Sequence, residues 1–143
     1  MSKIKVLFLS VLFSSLFILS CGENKQKNLT PVVPVAVVSP YEIDASPANV
    51  EKGKSVYLLN CSPCHGTGGK GDGPASAALN PKPRNHTDST YMNKLTNQHL
   101  FELLKNGGAA KGFPLMPSFG ATLKDDEIKQ TIAFVRTLSN PKK

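Results

Sequence analysis

The sequence predicts a small all-α domain behind an export leader and a tether. Three observations carry that prediction. Apolar residues recur at helical spacing in three stretches with recognisable ends, the intervening loops are rich in Gly and Pro, and the β-branched alternation a strand needs is nearly missing. About three to five helices are expected over residues 47–143, packed around something besides themselves. A domain this short has a thin core of its own, and loops this long in a small domain enclose a ligand or carry function.

In chain order, Lys3 and Lys5 precede an apolar run from Val6 to Leu19 that stops at the small Ser20. Residues 1–20 therefore read as an export signal that is too short to be a comfortable membrane span. The stretch "ILSC", Ile18–Cys21, resembles a bacterial lipobox, in which the cysteine is diacylated and becomes the first mature residue. A plain secretory signal or an uncleaved anchor is the alternative, and either still exports the chain to the periplasmic side. Residues 21–46 turn polar and then Pro/Val-rich, with Pro31, Pro34 and Pro40 spaced along them, as in a semi-extended tether.

Residues 47–143 form the domain. Ser46 and Pro47 suit an N-cap and first helical position, and Val50, Gly53, Val56, Tyr57 and Cys61 follow at three- and four-residue steps. In "TNQHLFELLKNGG", Thr96 is the expected cap, Leu100, Leu103 and Leu104 one apolar face, and Gly107 the stop. The last helix opens with Thr122 and Asp125 in capping-box spacing and aligns Ile128, Ile132, Val135 and Leu138 before Pro141. The formal charge is +7, including Lys3 and Lys5 of the leader, and the lysines are scattered. Basic blocks interleaved with aromatics, which a nucleic-acid partner would require, are missing.

The chemistry centres on "CSPCH", residues 61–65. A C-x-x-C-H pentad is the attachment signature of a c-type haem. On a helical turn Cys61, Cys64 and His65 share one side, so two thioethers can form along one porphyrin edge while the imidazole rises beneath the iron. A thioredoxin-like dithiol belongs at the start of a helix in a strand-rich fold, whereas here a helix precedes the cysteines. A zinc site needs four ligands and no second C-x-x-C supplies them. A simple disulfide leaves His65 and the Gly-rich loops without a purpose.

With "CSPCHG", the following "GTGGKGDGP", the "LMPSFG" loop and the closing "IKQTIAFVRTL", the stretch from Pro47 to Leu138 resembles the single-haem class I c-type cytochromes, in particular the small domains found as c-type subunits of respiratory complexes. The resemblance implies the class I fold around one covalent haem c. It also implies a close crossing of the first and last helices, Gly53 meeting Phe134. Met116, between Pro114 and Pro117, resembles the axial methionine, with His86 and His99 as rival sixth ligands. His86 is expected in a surface turn and His99 on a solvated helical face. The family orients its proximal histidine through a proline carbonyl after the pentad, for which Pro74 is the best match and Pro81 the reserve. Arg84 is a candidate partner of a haem propionate. Lys54, Lys70, Lys82 and Lys111 are candidates for a positive ring around the haem crevice.

The function expected is single-electron transfer between redox proteins of a respiratory chain, on the periplasmic face of a membrane, with no small-molecule substrate. With both axial positions filled, chemistry is confined to outer-sphere transfer across the haem edge. A permanently bound subunit of an oxidase or dehydrogenase is the alternative, and a haem sensor or peroxidase-type protein with a labile sixth ligand is the third reading.

Overall fold

The computed structural model describes residues 39–140, so the leader, Cys21 and the "VAVV" stretch of the tether lie outside the described residues. Those described residues fold into five α-helices and two 3₁₀ turns with no strand: α1 (Pro47–Asn60), α2 (Ser62–His65), α3 (Ser89–Met92), α4 (Asn97–Asn106) and α5 (Asp125–Ser139). No helix among them is long and apolar enough to cross a membrane.

α1 begins with Pro47 at its first position, as expected, and α4 with Thr96, whose hydroxyl accepts from the His99 N–H at 3.0 Å. Gly107 ends α4 at φ 79°, in the region that only glycine enters cheaply. α5 starts two residues later than its expected cap. Thr122 spends its hydroxyl on the Phe119 carbonyl, and the Glu127 carboxylate reaches back to the Lys124 N–H at 2.8 Å. Asp125, Asp126 and Glu127 then lie in the first turn, where the helix dipole favours negative charge.

The core is the crossing of α1 and α5. An added Cβ on Gly53 would collide with the carbonyl of Gln130, so the two backbones approach as only glycine permits. At the same helix pair Phe134 packs against Tyr57, ring centroids 5.1 Å apart. Ile128, Ile132 and Val135 face inward with Met92, Leu100 and Phe101. Arg136 ties α5 to the α3–α4 connection, its guanidinium donating to the Met92 carbonyl at 2.7 Å and the Leu95 carbonyl at 2.6 Å. Tyr41 and Ile43, on the tether side of the expected boundary, pack onto this core, Tyr41 edge-on to Phe101 at 5.6 Å.

Candidate haem site

The Cys61 N–H still bonds the Tyr57 carbonyl at 2.8 Å, so α1 delivers the first cysteine without a break. The single turn of α2 carries Cys64 and His65 round to the same side, and Gly66 at φ 78° ends it. Cys61 and Cys64 are free thiols. Burial, and then the nearby Cys64, push the Cys61 thiol up to about 12, so it remains a neutral S–H. The His65 Nδ1 lies 2.9 Å from the Arg84 carbonyl, which can only accept, so Nδ1 carries the proton and Nε2 is left as a lone pair. Burial lowers the His65 pKa against a smaller opposing contribution from that carbonyl, which favours the neutral, metal-ligating form.

All three residues line one cavity, walled by apolar side chains including Leu100, Leu103 and Leu104 of α4 and Ile132 and Val135 of α5. Met116 lines it too. Its loop hangs from the end of α4: the Phe119 N–H bonds the Leu104 carbonyl at 2.9 Å, Ser118 Oγ and the Gly120 N–H bond the Lys105 carbonyl at 2.6 and 3.0 Å, and the Gly108 N–H bonds the Met116 carbonyl at 3.0 Å. Carbonyls that a helix terminus leaves without partners thus hold the loop.

The group that orients His65 differs from the expectation. The acceptor at His65 Nδ1 belongs to Arg84; Pro74 opens a 3₁₀ turn and borders a separate shallow depression, while Pro81 lines the cavity wall. The chain returns to His65 only after the loop has run nineteen residues past it, so closeness in sequence to the pentad misleads. Both rival histidines are half-buried at the site. His99 lines the cavity, and His86 lies flat against His65, centroids 4.2 Å apart at 18°. Burial and then the neighbouring His65 lower the His86 pKa to about 3. The helical periodicity of His99 on α4 was a usable signal; for His86, in a loop, the sequence offered none.

The lysines are largely engaged. Lys82 Nζ donates to the Ser76 and Ala77 carbonyls at 2.9 Å each, and Lys54 and Lys111 lie 3.7 and 3.8 Å from Glu51 and Glu102. The Arg84 guanidinium sits 4.3 Å from the Tyr91 ring centroid.

Two free thiols and a neutral imidazole with a free Nε2, at the wall of an apolar cavity, fit a covalently held haem. Among the described residues no buried side-chain polar atom lacks a partner that some other ligand would have to satisfy. Residues 50–139 match the cytochrome c family. The chain is 32% identical over 110 residues to the Cbb3-type cytochrome c oxidase subunit FixP of Rhizobium etli, covering 74% of this chain and 37% of FixP. It is 36% identical over 97 residues to the quinohemoprotein alcohol dehydrogenase ADH IIB of Pseudomonas putida, covering 67% of this chain and 12% of that protein. It thus spans little more than a third of the first relative's length and about an eighth of the second's. Among solved structures, the Kuenenia stuttgartiensis reducing HAO-like protein complex Kustc0457/Kustc0458 superposes with a TM-score of 0.53 at 26% identity, covering 67% of this chain and 46% of that one. The pentad, the cavity and the match over residues 50–139 agree, and the chain belongs to the cytochrome c family, an electron-transfer protein with one covalently attached haem c.

Proposed function

We propose that this protein is an exported, lipid-anchored carrier that passes single electrons between periplasmic redox proteins, its iron held by His65 and Met116. The observation that carries the ligation is the Met116 loop, fixed to the carbonyls of α4 and lining the same cavity as the pentad. His86 suits the sixth position poorly, because a ring stacked on His65 lies on the same side of any plane that His65 approaches end-on. The haem supplies the one-electron chemistry. The chain's own work is to anchor it through Cys61 and Cys64, to present Nε2 of His65, to exclude water with apolar walls, and to offer Arg84 to a propionate.

A thioether sulfur stabilises ferrous iron more than a second imidazole does, which suits a carrier of relatively high potential. The test of ligation is the ferric spectrum of the purified holoprotein: a weak sulfur-to-iron charge-transfer band is expected, and a bis-histidine spectrum without it would reject Met116. The anchor at Cys21 is tested by detergent phase partitioning of wild type and Cys21→Ser, since two acyl chains anchor stably. Equal partitioning would reject lipidation.

A second reading, a haem subunit fixed in a larger oxidase or dehydrogenase, draws support from the name of the FixP relative. Solubilisation in mild detergent separates them, because a fixed subunit co-purifies with its complex in constant ratio and a carrier does not.

A further inference from the structure

Of the three histidines, one lies half-buried against the proposed iron ligand without a part in the function described so far. His86 stacks on His65 at 4.2 Å with the rings 18° from parallel. It is pinned from two directions: its backbone N–H bonds the Gly69 carbonyl at 2.6 Å, and its ring Nδ1 lies 3.4 Å from the Tyr57 hydroxyl. Tyr57 is fully buried and its single hydroxyl proton goes to the Gly66 carbonyl at 3.0 Å. The tyrosine oxygen therefore accepts from His86 rather than donating, and His86 carries its proton on Nδ1. A chain runs from Gly66 through Tyr57 to His86, and the flat face of His86 closes one side of His65 while the Arg84 carbonyl fixes its edge.

We propose that His86 is a positioning residue that sets the plane of the His65 imidazole and, through it, the electronic state and potential of the haem. A hydrogen bond at Nδ1 restrains the ring at one atom, but rotation about its own Nε2 axis is limited only by what lies against its faces. Here one face meets His86, held by Tyr57. Two stacked neutral rings also keep water from the Nδ1–H, whose bond to a carbonyl makes the ligand more basic. The proposal rests on His65 ligating iron and is indifferent to whether Met116 is the other ligand.

The experiment uses ferric holoprotein, with NMR of the haem methyl groups, which report the orientation of the axial imidazole plane, and a redox titration. Hyperfine-shifted ring signals of His65 in wild type establish its ligation first; their lack would sink the ligation reading and this one together. His86→Ala is expected to rearrange the methyl shifts and lower the potential, because water then reaches the ligand. His86→Phe, which restores a flat wall, is expected to recover most of the wild-type pattern. Tyr57→Phe keeps the core ring and removes the hydroxyl that accepts from His86 and donates to the Gly66 carbonyl, and a smaller rearrangement in the direction of the Ala variant is expected. A His86→Ala protein that melts earlier but keeps wild-type shifts and potential overturns the proposal, leaving His86 a packing residue. Should His86→Ala fail to mature, unchanged shifts and potential in Tyr57→Phe overturn it equally.

Discussion

The carbonyl of Arg84 holds the Nδ1–H of His65 at 2.9 Å, while the guanidinium of the same residue lies 4.3 Å from the centre of Tyr91 and 5.5 Å from that of Phe113. Backbone and side chain of one residue thus act on the site separately. Because the acceptor is main chain, Arg84→Ala should leave His65 oriented and the visible spectrum unchanged. Removing a cation near the haem should favour the ferric state, so the potential should fall, and the lost contact with Tyr91 should cost about 0.5–2 kcal/mol. A spectrum showing a lost proximal ligand in this variant would mean that the carbonyl contact depends on the side chain.

Gly53→Ala addresses the helix crossing. Its new methyl would meet the Gln130 carbonyl, which is backbone and cannot rotate away, so α1 and α5 must separate. Overpacking costs about 1–3 kcal/mol where side chains can adjust, and at least the upper part of that range is expected here. Thermal melts of the holoprotein measure it. Ser55→Ala on the exposed side of α1 is the control and should move the midpoint little.

The helices and the pentad were legible because both are local patterns: Val50, Val56 and Tyr57 on α1, or Ile128 and Ile132 on α5, announce themselves by spacing alone. What lay beyond reach was the loop path. The acceptor for His65 arrives with Arg84, and the ring beside it with His86, from a connection whose course depends on where the Gly69 and Gly71 carbonyl and amide groups find partners. Arg136 was likewise silent in a sequence reading. On a helical wheel it is one more polar residue, and its two carbonyl acceptors at Met92 and Leu95 exist only once α3 has folded beneath α5.

Met116→Ala tests the proposed sixth ligand. Loss of the thioether should abolish the charge-transfer band, let carbon monoxide bind the ferrous protein readily, and lower the potential by a sizeable part of the roughly 0.8 V span that axial ligands command. Since the loop is held by backbone bonds to α4 rather than by the methionine, the fold should survive, and covalent haem yield should match wild type. Rapid carbon monoxide binding by wild type itself would favour a labile ligand and a sensor function.

Docking is the property for which the structure weakens the expectation from sequence. A ring of four free lysines around the haem crevice would steer an acidic partner and make association steeply salt-dependent, because exposed charges are screened over about 8 Å at physiological ionic strength. Lys82 instead spends its ammonium on the Ser76 and Ala77 carbonyls, and Lys54 and Lys111 face Glu51 and Glu102, which offsets the field each projects. Beside the cavity, Leu115 is 52% exposed, so an apolar contact is available at the edge where electrons must leave. A soluble holoprotein lacking residues 1–38 should therefore show a bimolecular electron-transfer rate that falls only shallowly between low and physiological salt. Lys70→Gln should change it by less than about threefold, the scale of a single exposed charge. Leu115→Ser should slow it more than Lys70→Gln does. A steep salt dependence together with an indifferent Leu115→Ser would restore the lysine ring as the docking element.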